Sequence, residues 1–124
     1  MIEVPDLESL INKTGFDTIY HEHRNYFSEN SLQKLFLNQK IKIIKIEKIN
    51  YMAGSLRVYA QKNFVNLKIN KTKTLGLKKI VRFEKNINII KRKKIEFVYK
   101  MKKQNKIIAG IGAATKGNTL LNYC

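Results

Sequence analysis

The sequence predicts a mixed α/β fold, and three patterns carry that expectation. A run rich in β-branched residues, Ile41–Ile49, and a partner run at 55–61 read as neighbouring strands separated by a turn at Gly54. Apolar residues at three- and four-residue spacing mark helices on either side: Leu32, Leu35 and Phe36 before the strands, and Ile80, Phe83, Ile87, Ile90, Phe97 and Met101 after them. A glycine-rich stretch at 110–117 lies between the apolar run 106–109 and Leu120-Leu121, the order of a strand, a loop and a helix.

At the start of the chain, Ile2-Glu3-Val4 reads as the end of a strand, and Pro5 then suits a first helical turn. Leu7, Leu10 and Ile11 make the apolar side of a short helix running to about Lys13, with Gly15 as its stop. Residues 20–23 follow as a loop. In a regular strand the side chains at 20 and 22 would oppose those at 21 and 23, so the four could not line one pocket.

Ser28 is a good N-cap for the helix carrying Leu32, Leu35 and Phe36, which ends near Asn38. In the strand at 55–61, Leu56, Val58 and Ala60 share one face while Ser55, Arg57 and Tyr59 share the other. A further short strand is expected at 64–69 and a linker at 70–76. The segment 78–103 reads as one long amphipathic helix. Ile89, Ile95, Val98 and Tyr99 widen its apolar face, which suits an element bridging two domains better than one lying on a membrane.

The formal charge is 25 − 9 = +16 and lopsided: residues 1–35 hold six of the nine acids and three bases, residues 36–124 the other three acids and 22 bases. Lys outnumbers Arg 21 to 4 and is spread along the chain. The planar fork that reads phosphate and base edges is therefore scarce, and a solvated lysine surface explains the charge better than specific nucleic-acid binding. Cys124, the one cysteine, allows no internal disulfide. No apolar run reaches the ~18–20 residues a bilayer requires. The default compartment is the cytoplasm.

Both histidines lie in one stretch, Tyr20-His21-Glu22-His23-Arg24-Asn25-Tyr26-Phe27-Ser28, with a carboxylate between them and tyrosines on either side. Imidazole, with an ordinary pKa of about 6.5, is largely neutral at pH 7 and can accept a proton without large tuning. His-x-His beside Glu also has a metal-ligand spacing, but the chain holds no third histidine. A buried polar network without catalytic use is the plainer reading of such a cluster.

This stretch resembles the signature of S-adenosylmethionine-dependent C-methyltransferases acting on nucleotide-linked keto sugars. Gly54-Ser55-Leu56-Arg57-Val58-Tyr59 and the segment 110–124 resemble two further blocks of that family, in the family's order. The resemblance implies the closing strands of a doubly wound methyltransferase sheet, the last one antiparallel, at 1–70. A linker and long helix at 71–104 would follow, then the first β-α unit of a second, Rossmann-like nucleotide-binding domain at 105–124. It also implies that the chain is the later part of a multidomain enzyme. The S-adenosylmethionine site and a zinc-binding cysteine cluster would then precede Met1, and the isolated chain would be inactive.

The implied chemistry is removal of the proton next to the ketone of a nucleotide-linked keto-deoxysugar, followed by methylation of the enolate carbon. By the family match His23 is the general base, with Tyr20, His21 and Glu22 orienting the sugar or stabilising the enolate oxygen. Glu22 could instead hold His23 in its tautomer. Ser55, Arg57, Lys116, Asn118 and Thr119 are the candidate substrate contacts, and no metal ligand is assigned in this chain. The chain departs from the family where Met52-Ala53 replaces a His-Gly pair, where Ile111 replaces an aromatic, and where Thr115 precedes Lys116. The alternatives are a non-catalytic nucleotide-sugar-binding module and a basic nucleic-acid-associated protein.

Overall fold

The computed structural model describes residues 1–51, 53–62, 75–112 and 114–124. Three strands, β1 (Ile2–Pro5), β2 (Ile41–Ile49) and β3 (Ser55–Lys62), form one sheet in the order β1-β3-β2. The central strand β3 is antiparallel to both neighbours, so β1 and β2 run in the same direction. Helices α1 (Leu7–Asn12) and α2 (Glu29–Asn38), with a 3-10 turn at Phe16–Thr18, connect β1 to β2. After β3 come α3 (Leu77–Lys103) and α4 (Thr115–Tyr123). The strand expected at 64–69 and most of the linker expected at 70–76 lie outside the described residues.

Alternation decides the sheet. Leu56 and Val58 are fully buried and, with Leu32 of α2, form the core on which Val4, Phe27, Phe36, Ile43, Ile46 and Ala60 pack. The opposite face of β3 carries Arg57, which stands between Glu3 of β1 and Glu47 of β2 in register. The five isoleucines of β2 do not alternate cleanly, and a bulge between Ile43 and Lys45 resolves the conflict. Ile43 and Ile46 thereby both reach the core, while Ile44 is left exposed.

Pro5 does not open the first helix. It ends β1, opposite Ser55, at a sheet edge where its missing N–H costs no ladder bond. Asp6 is the N-cap: one carboxylate oxygen accepts from Glu8 N–H at 3.0 Å and the other from Ser9 Oγ–H at 2.7 Å, which accounts for its near-complete burial. The left-handed residue that closes α1 is Thr14 (φ 54°), and Gly15 N–H returns to Leu10 O at 2.8 Å.

Ser28 caps α2 as expected, in a reciprocal arrangement with Ser31. Lys48 of β2 bridges Glu8 at 3.1 Å and Glu29 at 3.3 Å, tying the sheet to the first turns of both helices. Gly54 has φ +111°, and a Cβ there would lie 2.5 Å from Ser9 Cβ, so only glycine fits the turn between β2 and β3.

The long helix forms over almost the expected span and ends on Asn105 (φ 55°), with Lys106 N–H on Met101 O at 3.1 Å. It has no buried residue; Phe83, Ile87 and Ile90 are half-buried near its middle, while Leu77, Phe97 and Tyr99 stand in solvent. The strand expected at 106–109 is not formed. A strand needs a ladder partner for its backbone groups, and among the described residues none pairs with this one; Ile107 is 97% exposed. The helix after the glycine loop does form, starting at Thr115, five residues before Leu120.

Candidate functional site

The candidate site grows from the connection between α1 and α2. The 3-10 turn is built locally: Thr18 N–H and Thr18 Oγ–H both donate to Gly15 O, at 3.1 and 2.7 Å. Phe16 is 7% exposed and anchors the turn. Beyond the turn the chain has no regular structure until β-type pairing of Phe27 with Asp6, where Leu7 N–H donates to Phe27 O at 2.9 Å. Tyr20, His23 and Tyr26 therefore sit on a loop pinned at both ends.

Within this loop the Thr18 carbonyl organises the side chains. His23 Nδ1 lies 2.9 Å from Thr18 O, and Tyr26 Oη–H donates to the same oxygen at 3.1 Å. A carbonyl oxygen only accepts, so Nδ1 carries the proton, and in the neutral ring Nε2 holds the lone pair. Tyr20 Oη lies 3.4 Å from Nε2, a long contact that leaves this nitrogen lightly held. The Tyr20 and His23 rings are 4.4 Å apart between centroids, and Tyr26 meets His23 edge-on at 6.3 Å. His23 is half-buried rather than enclosed.

Burial pushes the Tyr26 phenol above its ordinary pKa of about 10. Its folded-state value is raised, so its contribution to stability is present below that ordinary value and is lost as pH rises through the higher, folded one. An ultraviolet titration is accordingly expected to contain a phenol step above the ordinary value, and a Tyr26→Phe variant should lose that step.

The other predicted site residues fall into separate groups. His21 is exposed and meets Tyr20 edge-on at 6.2 Å. Glu22 is exposed, and among the described residues it has no hydrogen-bond or ion-pair partner, so the Thr18 carbonyl and not Glu22 sets the His23 tautomer. Arg57 gives both Nε and Nη2 to Glu3 Oε2, each at 3.1 Å; the guanidinium is raised above its ordinary pKa, chiefly by that bond. Ser55 is half-buried at the start of β3.

On α4, Lys116, Thr119, Leu120 and Tyr123 share one helical face, the one turned to the 3-10 turn: Tyr123 stacks on Phe16 with ring centroids 5.3 Å apart. Asn118 lies off that face and accepts from Asn122 Nδ2 on both its carbonyl and its Oδ1, at 3.0 Å each. Thr119 Oγ–H bonds to Thr115 O at 3.2 Å, within the helix. Sequence reasoning missed the Thr18 carbonyl, because a main-chain acceptor has no side-chain signature. It also missed the contact of Tyr123 with Phe16.

Among the described residues no group of three or more His, Cys, Asp or Glu could hold a metal ion. Asp6, the carboxylate at the end of β1, is nearly fully buried and commits each oxygen to the α1 cap.

Residues 50–124 match the model of the C-methyltransferase C-terminal domain. The chain is also 28% identical over 134 aligned positions to C-methyltransferase NovU of Streptomyces niveus, an alignment covering 99% of this chain and 32% of that protein. The chain thus spans about a third of the length of that relative. The family match extends over more than half of the sequence and includes the glycine turn, β3, α3 and α4. This chain belongs to the C-methyltransferases, as a member of their C-terminal domain family.

Proposed function

We propose that the chain is the substrate-side part of an enzyme that methylates a carbon of a nucleotide-linked keto-deoxysugar, with His23 as the general base. The observation that carries this reading is the His23 tautomer. With Nδ1–H committed to Thr18 O, the basic lone pair is on Nε2, beside Tyr20 and on a half-exposed edge of the loop. Nε2 takes the proton from the carbon next to the ketone, and the electrons of that C–H bond move onto the ketone oxygen. The Thr18 carbonyl then faces a positively charged ring and holds it more strongly than the neutral one. Tyr20 Oη stands next to Nε2 and can donate to the enolate oxygen. His21 and Glu22, exposed on the same loop, are the candidates for orienting the sugar.

S-adenosylmethionine, the methyl donor this reading requires, supplies an electrophilic methyl group. Lys116, half-buried on the α4 face turned to the 3-10 turn, is the favoured contact for the nucleotide diphosphate. Arg57 must leave Glu3 to serve the same purpose, and Asn118 and Thr119 must give up their bonds within α4.

The strand order, with β3 antiparallel between two strands of one direction, supports the closing part of a doubly wound methyltransferase sheet for residues 1–70. Residues 71–104 then connect to a second nucleotide-binding-like unit beginning at 105. We place the protein in the cytoplasm; no helix among the described residues is long and apolar enough to cross a membrane.

The test is methyl transfer by the enzyme that carries this chain as its substrate-side part. With donor labelled at the methyl carbon and a nucleotide-linked 4-keto-6-deoxysugar, a new carbon-bound methyl on the sugar is expected. Donor binding without any sugar methylation would overturn the reading.

A further inference from the structure

The geometry points to Tyr123 as a positioning residue: stacked on Phe16, it holds the 3-10 turn whose Thr18 carbonyl fixes the tautomer of His23. The last helix of the chain thereby governs which imidazole nitrogen is basic. The consequence for catalysis rests on the proposed role of His23, but the structural claim stands without it.

A three-residue 3-10 turn has poor hydrogen-bond geometry and little stability of its own, so what packs on it decides where its carbonyls point. Here the local bonds are Thr18 N–H and Thr18 Oγ–H to Gly15 O and Ile19 N–H to Phe16 O at 2.9 Å, and the anchor is the Phe16 ring. Tyr123 meets that ring at 5.3 Å, tilted by 56°. From its other side Tyr123 is held by α3: Lys91 Nζ lies 4.7 Å above the phenol ring, and Tyr123 Oη–H reaches Asn88 Oδ1 at 3.5 Å. Neither α3 nor α4 has a buried residue. Their packing is therefore shallow, and the ring of Tyr123 on Phe16 is a contact through which α4 meets the turn.

Two residues beyond Phe16, the Thr18 carbonyl takes both the His23 and the Tyr26 donors. Rotating that peptide loses both bonds at once. A free imidazole prefers its proton on Nε2, so a loosened turn lets His23 revert to the tautomer in which the outward nitrogen is not basic. The pair is one physical link between the C-terminal helix and the loop, and it ties arrangement of the later unit to readiness of the base.

The experiment is nitrogen-15 NMR of the His23 ring in the 124-residue chain, at a pH where both histidines are neutral. The unsubstituted chain is expected to show the Nδ1–H form, and Tyr123→Phe, which keeps the ring, to leave it in place. In Tyr123→Ala the ratio of Nδ1–H to Nε2–H is expected to fall by about five- to tenfold, the effect of losing one partly buried hydrogen bond. The exposed His21 serves as the internal reference and should not change.

A contact that merely stabilised the fold would lower the unfolding midpoint and leave the ratio alone. An unchanged ratio in Tyr123→Ala, with the sheet intact by circular dichroism, overturns the proposal. Should that variant lose its sheet, Phe16→Leu decides, with the same fall expected and the same constancy contradicting it. The ratio is read without substrate or donor, so its outcome is separate from whether His23 is the base.

Discussion

Replacing His23 by glutamine is expected to slow sugar methylation by about 10²–10⁴-fold, the range for loss of a positioned general base. The glutamine amide can still donate to the Thr18 carbonyl, so the loop keeps its main tether and loses only the basic lone pair. The loss should therefore fall on kcat, with KM for the nucleotide sugar changed little, because an interaction used only in proton removal does not bind the ground state. Glu22→Gln provides the contrast. Glu22 has no hydrogen-bond or ion-pair partner among the described residues, so His23 should keep its Nδ1–H tautomer in that variant. A shift of the tautomer there would return to Glu22 the orienting role that the geometry gives to Thr18.

The second large effect is on the fold. Leu56 is fully buried on the central strand of the sheet, in one core cluster with Leu32 and Val58. Leu56→Ala is expected to cost about 2–5 kcal/mol, out of the ~5–15 kcal/mol that holds a typical domain together. The urea midpoint should fall accordingly at constant slope. The next residue along β3 has the opposite fate. Arg57→Ala removes a surface pair with Glu3, screened by solvent, and should move the midpoint only slightly. The difference between these neighbours is the direct energetic reading of a strand with one buried face.

That alternation was legible before any coordinates, as were the elements set by short-range rules. Ser28 is followed by a helix because its hydroxyl meets a backbone N–H one turn on. The β-branched residues of β2 and the glycine at 54 specify a hairpin with little help from the rest of the chain. One short-range cap was overlooked: Asp6, not Pro5, opens α1, through bonds to Glu8 and Ser9. Features set by distant partners were not legible. The bulge at Ile43/Lys45 exists because both Ile43 and Ile46 are drawn to one core. Residues 106–109 have strand composition but no neighbour to pair with among the described residues, and composition cannot supply one.

The candidate site divides along the same line. Tyr20 and His23 stand together as their sequence proximity suggested, and the family signature directed attention to them. What gives His23 a defined tautomer is a backbone oxygen five residues earlier, in a turn that Tyr123 meets through Phe16. Arg57 illustrates the reverse case. An arginine beside a glycine turn invites an anionic ligand, yet the strand register places Glu3 directly opposite, and the pair satisfies itself.

The central claim is that Nε2 of His23 removes the proton next to the sugar ketone. The most direct measurement is deuterium wash-in at that carbon in heavy water, with the enzyme, the nucleotide-linked keto sugar and no methyl turnover. The unsubstituted enzyme is expected to exchange the proton at one position, and His23→Gln to lose that exchange while still binding the sugar nucleotide. Exchange at an undiminished rate in His23→Gln would contradict the account.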